Sequence, residues 1–327
     1  MTPPDTSGPD CVPPAAPLVD RVSDHELLRL IGKGGAGEVW LARNVLGSYR
    51  AIKIVRASTF RRGRPFDREF HGIQKFEPVS RLHDGLVDIL QVGLNEPDGY
   101  FYYVMELADD PTTGQLVNPR EYKPRTLQHD LTHRKRLPVA ECVRLGAALA
   151  SALGFLHAQG LIHRDIKPSN IIFVNGFPKL ADIGLVAGID DKAYVGTDGF
   201  IPPEGQGTVK ADIYSFGKVL YEMSTGMDRL KYPALPPDLG KSTEDHNLIQ
   251  FNKIILRACR ANSHHRFKSA EQMMAALLAF QFGVRKSQRI RAQRRWVTAV
   301  GVIGALTAAG VFGGLLWRLV QLLRLGQ

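Results

Sequence analysis

Cysteine is scarce: Cys11, Cys142 and Cys259 are the three in 327 residues, and none stands at metal-ligand spacing from another. That excludes a disulfide-stapled or zinc-ribbon architecture and points to a reducing compartment. No apolar run follows Met1, so no secretory signal peptide is expected there. No segment repeats at a fixed period, which excludes solenoids and propellers. Acidic residues are absent from 285–295 (RKSQRIRAQRR), where six cations supply more than half of the net charge of +10. The remaining chain is only mildly basic, so no specific nucleic-acid partner is expected. Charge of either sign is absent from 296–317 (WVTAVGVIGALTAAGVFGGLLW).

What is present is a globular composition, 44% apolar and 23% charged, in a chain long enough for one two-lobed domain. Six prolines in residues 1–24 predict a disordered leader. From Glu26, the pattern ELLRLIGKGGAGEVWLARNVLGSYRAIKIV alternates apolar runs with Gly-rich or polar breaks and predicts three antiparallel strands. FDREFHGIQKF (66–76) has helical spacing, and LVDILQVG with YFYYVMEL predicts a further strand pair. PVAECVRLGAALASALGFLHAQG, with Pro138 at its start and Gly160 past its end, predicts a long helix. Helical stretches are expected again at 210–225, 245–260 and 269–281. A small strand-rich lobe therefore precedes a larger helical one.

Three stretches carry chemistry. GKGGAGEV (Gly32 to Val39) joins two predicted strands, and its glycines would let the backbone fold over a phosphate, although a plain Gly-rich hairpin fits equally well by itself. AIK then sets Lys53 among apolar neighbours, where an ammonium is costly unless an anion meets it. HRDIKPSN (163–170) gathers cations, a carboxylate and a carboxamide around Pro168, which suits neither helix nor central strand and indicates a loop holding polar groups in place.

Together these motifs resemble the eukaryotic-like (bacterial) serine/threonine protein kinases over about residues 25–283. The resemblance implies an α+β, bilobal protein-kinase fold, with an antiparallel-sheet N-lobe over 25–107 and a helical C-lobe over 108–283. It places Gly32, Gly34 and Gly37 over the ATP phosphates and Lys53 on the α- and β-phosphates, and counts Lys33, Val39 and Ala51 among the nucleotide-binding residues. Backbone groups of Glu106 and Ala108, in the hinge-like MEL stretch and just after it, would meet adenine. Asp165 would orient a substrate hydroxyl and accept its proton, Lys167 would approach the transferring phosphate, and Asn170 and Asp182 would hold Mg²⁺, or Mn²⁺ in its stead. Glu204 would pair with Arg266, and Asp212 would brace the catalytic loop. Lys167 and Thr197 resemble the branch that phosphorylates Ser and Thr, so protein substrates with such acceptors, and autophosphorylation, are expected.

Departures from the family pattern leave some choices open. Glu69 follows Lys53 by 16 residues and Glu77 by 24, next to Pro78; Glu69 is the better partner for Lys53. Ile183 replaces the usual Phe after Asp182. Residues 109–125 make a long link, readable as a solvated loop or as a rim that selects substrates. Asp190 and Asp191 could stand in for an activating phosphate on Arg164, or be two solvated acids. His264 and His265 read as surface residues. A pseudokinase scaffold is the competing class, and a small-molecule phosphotransferase the third.

The uncharged stretch spans about 33 Å as a helix, enough to cross a bilayer, with Trp296 and Trp317 at its ends. A basic juxtamembrane segment (284–295), a single transmembrane helix (296–317) and a short extracytoplasmic tail (318–327) are therefore expected. The cations before the span would keep the kinase domain cytoplasmic at an inner or plasma membrane. Gly301, Ala305, Ala309 and Gly313 recur every four residues and could support a homodimer through the span.

Overall fold

The computed structural model describes residues 22–34, 37–59, 64–182, 187–188, 197–237, 239 and 243–284. Strands β1 (His25–Gly34), β2 (Gly37–Asn44) and β3 (Tyr49–Arg56) follow one another antiparallel, as their alternation predicts. β4 (Ile89–Asn95) and β5 (Tyr100–Met105) complete a five-stranded sheet in the order β1-β2-β3-β5-β4. Central β3 is buried from Ala51 to Val55, the burial expected of a short continuous apolar run. Its alternate residues serve opposite faces. Ile52 and Ile54 pack with Tyr100, Tyr102 and Val104, whereas Ala51 packs with Leu41 and Leu107, and Lys53 shares the face of Ala51. Val22, expected in the leader, is buried with Ala42 and Ile52, so packing starts before Glu26.

α1 (Arg64–Ser80) exceeds the predicted 66–76 at both ends and runs past Pro78. Phe66 and Phe70 meet Phe101 edge-on with centroids 5.2 and 5.1 Å apart, and Ile73 and Phe76 are buried with Val55. This i, i+4, i+7 stripe fixes the helix against the sheet and determines where Glu69 points.

The C-lobe is built on α3 (Val139–Ala158) and α4 (Val209–Thr225), followed by α5 (Thr243–Ala258) and α6 (270–284). Thr208 caps α4 by accepting from Ala211 N–H, and Gly226 ends it in a left-handed conformation. α3 is long and apolar enough to cross a membrane, yet eleven of its residues are buried in the lobe's core. Several elements differ from the sequence expectation. α2 (Leu127–Arg134) is two turns long, too short for a clear period, and starts at the cap Thr126. Short strands β6 (Leu161–Ile162), β7 (Ile171–Val174), β8 (Phe177–Leu180) and β9 (Ala187–Gly188) form two small two-stranded sheets within the helical lobe. β7 and β8 turn at Asn175–Gly176, both with positive φ, the Asn-Gly signature of a tight hairpin. Ile183, Asp190, Asp191, the basic run at 285–295, the span 296–317 and the tail 318–327 lie outside the described residues.

Candidate active site

Two carboxylates converge on Lys53. Its ammonium lies 2.7 Å from Glu69 Oε1, delivered by α1, and 2.8 Å from Asp182 Oδ1. Lys53 is 5% exposed, and burying an ammonium costs on the order of several kcal/mol unless anions compensate. Burial pulls its pKa down, but Asp182, Tyr103 and Glu69 outweigh that and hold it well above the ordinary value. In return Lys53 keeps the Asp182 carboxyl below its usual range, while burial pushes Glu69 up against the pull of Lys53. Glu77 instead meets Arg81 at 3.0 Å near the surface. Glu69, not Glu77, therefore faces Lys53.

A second cluster centres on Asp165, which is also buried. Lys167 Nζ donates to Asp165 Oδ2 at 2.6 Å and to Thr197 Oγ1 at 3.0 Å, and the Thr197 hydroxyl donates to Asp165 Oδ1 at 3.2 Å. Asn170 Nδ2 donates to Asp165 Oδ2 at 2.8 Å, and its carboxamide oxygen accepts from the Ser169 hydroxyl at 3.4 Å. Ala181 N–H donates to the Asn170 carbonyl at 2.9 Å, which ties the segment carrying Asp182 to the loop carrying Asp165.

Backbone strain marks the same two segments. Arg164 has φ 68° and Asp182 φ 56°, left-handed values that cost a non-glycine residue on the order of 1–3 kcal/mol. Asp212, 1% exposed on α4, holds the first by accepting the amide hydrogens of His163 at 2.8 Å and Arg164 at 2.9 Å. Gln206 Nε2 donates to the Arg164 carbonyl at 2.6 Å. His157 Nε2 completes the brace at 2.9 Å from Asp212 Oδ2. His157 and Gln206 carry no signal in the sequence, because their partners lie 55 and 42 residues away.

The glycine loop divides into two kinds of position. Gly37 has φ +148°, and a Cβ there would stand 2.4 Å from the Ile54 carbonyl oxygen, so the sheet itself requires glycine. A Cβ at Gly34 would meet nothing within 4 Å, and one at Gly32 would make ordinary contact with Val39. The Lys33 side chain is turned to the surface, 3.1 Å from Glu38, so at that position the loop offers its backbone. Val39 stands opposite Lys53 and Ala51 opposite Met105 in the sheet ladders.

At the strand exit, the Glu106 carboxylate accepts from Lys179 Nζ at 2.5 Å and from Asp88 N–H at 2.8 Å, and Ala108 is buried. The Ala108 carbonyl accepts from Tyr122 OH at 3.1 Å. Tyr122 belongs to the 109–125 link, is 1% exposed, and packs with Leu41, Ala51 and Leu107. Arg29 of β1 donates to the carbonyls of Arg120 and Tyr122. The link is thus fastened to the sheet and to the strand exit at Asp109 and Tyr122, while most of its other residues are exposed or half-buried. Further down, Glu204 accepts from Arg266 at 2.9 Å, with Arg266 2% exposed.

The protein kinase domain model matches residues 25–297, running past the expected boundary at 283. The chain belongs to the protein kinase family. Its kinase domain is 27% identical over 279 residues to a probable serine/threonine-protein kinase of Clostridium perfringens, covering 77% of this chain and 38% of the relative. Serine/threonine-protein kinase PrkC of Bacillus subtilis is 28% identical over 274 residues, covering 77% and 39%. Serine/threonine-protein kinase PknB of Mycobacterium leprae is 28% identical over 284 residues, covering 79% and 43%. The chain therefore spans about two fifths of the length of these curated relatives.

Proposed function

We propose that this chain is an ATP-dependent protein serine/threonine kinase, anchored in a membrane by residues 296–317 with its kinase domain on the cytoplasmic side. One observation carries the activity: Asp165, Lys167 and Thr197 close a hydrogen-bonded triangle, tied through Asn170 and Ala181 to the Lys53–Asp182 pair. In that arrangement Asp165 orients an entering hydroxyl and takes up its proton. Lys167 lies 2.6 Å from Asp165 and can neutralise charge developing on the transferred group. Lys53, kept protonated by its two carboxylates, is the buried cation for the α- and β-phosphates. The open space beside Gly34 allows the backbone to approach a phosphate closely.

The donor set suits Mg²⁺. The Asn170 carboxamide oxygen and the Asp182 carboxylate are hard oxygen ligands, which Mn²⁺ would also accept. Among the described residues no cluster of three His, Cys, Asp or Glu forms an all-protein metal site, and a nucleotide-borne Mg²⁺ needs only one or two carboxylates. When bound, the ion neutralises phosphate charge.

Incubation of the full chain with radiolabelled ATP and peptides bearing one Ser, Thr or Tyr acceptor tests the activity. Label on Ser or Thr peptides is the expected result; label on none, with nucleotide still bound, would favour a scaffold. Anchoring rests on the uncharged span and on six cations before it against Arg318 and Arg324 after it. It is checked by membrane fractionation with and without 285–327. The ridge at Gly301, Ala305, Ala309 and Gly313 suits a homodimer through the span, which Ala309→Leu with Gly313→Leu should abolish in crosslinking.

A further inference from the structure

One corner of the C-lobe concentrates positive charge that the cleft does not use. A hollow of about 610 Å³ lies between the end of α5 and the start of α6. Lys253, Arg257, Arg260 and Lys268 line it together with His264 and His265, and no carboxylate does. None of these four Lys and Arg side chains has a carboxylate partner among the described residues. Arg257 rests instead on the Phe267 ring at 4.3 Å. The macrodipole at the C-terminal end of α5 accounts for Arg257 and Arg260. It does not account for Lys253, more than a turn earlier, or for Lys268, beyond the helix. Like charges gathered around a concavity repel one another and raise the local concentration of anions.

The position of the hollow selects its occupant. Arg266 also lines it and grips Glu204, the end of the segment that begins at Thr197 beside Asp165 and Lys167. The hollow therefore lies behind the stretch where an acceptor would be held. The uncompensated positive charge, set behind the acceptor stretch, favours an acidic peptide. We infer that this hollow docks an acidic segment of a protein substrate, a run of Asp and Glu separate from the phosphorylated residue. The inference rests on the proposed kinase activity for the identity of the partner; capture of the acidic segment needs only the charges.

Two measurements on the full chain, purified in a non-ionic detergent, test it. The first is fluorescence anisotropy of a labelled oligoglutamate peptide against the parent and the triple variant Lys253→Ala, Arg260→Ala, Lys268→Ala. Binding should weaken about tenfold in the variant and fall with added salt. The second is the KM of a Thr-acceptor peptide with and without an oligoglutamate tail. The tail should lower KM in the parent but not in the variant, and kcat on the untailed peptide should stay the same in both. Oligoglutamate binding that survives the triple substitution, or equal KM values for the two peptides in an active parent, overturns the docking site. So does a variant that loses phosphatidylglycerol vesicles but keeps the peptide, since that makes the hollow a membrane face. Charge-dependent peptide binding without transfer to either peptide would leave the docking site standing and overturn the activity instead.

Discussion

Asp212 on α4 and His157 at the end of α3 meet at 2.9 Å beneath the loop that carries Asp165. With the amides of His163 and Arg164, this gives one buried carboxylate three hydrogen-bond donors. Burial by itself would raise the Asp212 pKa; His157, His163 and the amide donors reverse the direction and lower it from 3.8. A carboxyl with a depressed folded-state pKa stabilises fully above its unfolded value and loses that contribution as pH falls through the folded one.

Asp212→Asn should therefore lower the Tm at pH 7 by on the order of 10 °C, because it removes the charge that satisfies three buried donors. The difference from the parent should begin to narrow below about pH 4, where the unfolded chain's carboxyl protonates, and shrink further as pH falls through the lower folded-state value. Thermal unfolding between pH 7 and pH 3 measures both. A gap that stays constant over that range would contradict the assignment.

Glu69→Gln should lower kcat/KM by about 100-fold through misplacement of Lys53. Glu77→Gln, which loses only the surface contact with Arg81, should stay close to the parent. Steady-state kinetics with varied ATP separates the two, and equal losses would remove Glu69 from its role.

Gly37→Ala and Gly34→Ala should fail in different ways. The first sets a Cβ against the Ile54 carbonyl oxygen and should unfold the β2 start, seen as a lower Tm. The second meets no protein atom within 4 Å, so Tm should hold while the KM for ATP rises. An unchanged KM in Gly34→Ala would mean that the loop does not approach the phosphates there.

Asp165→Asn should reduce transfer by about 10²–10⁴-fold, the range for loss of a positioned base, with a smaller loss of Tm than Asp212→Asn because Lys167 is partly exposed and can turn to water. The carboxamide keeps the shape but cannot accept from Lys167, Asn170 and Thr197 together. Phosphate incorporation beside a melting curve reads the outcome, and near-parental turnover would refute the role given to Asp165.

Much of this molecule was legible before any coordinates. The apolar runs around Gly32 to Val39 and the run AIKIV prescribe strands because they leave no other way to bury their side chains, and the sheet contains them. The period of residues 139–158 prescribes a helix for the same reason. The motifs around Lys53, Asp165 and Asp182 are short and chemically dense, so their order along the chain suffices to indicate the family. The hairpin at Asn175–Gly176 is written in its Asn-Gly pair, although the four-residue strands on either side are too short to show a period.

Other features depended on how those elements dock. The chain offers two glutamates to Lys53, and the choice falls to Glu69 because Phe66, Phe70, Ile73 and Phe76 turn α1 so that Glu69 faces the sheet. Nothing near His157 announces Asp212, and nothing near Tyr122 announces Ala108. Local sequence determines element type and the chemistry carried on each element, since both depend on neighbours a few residues apart. Which distant groups meet is decided by packing between elements, and that leaves no periodic trace in the chain.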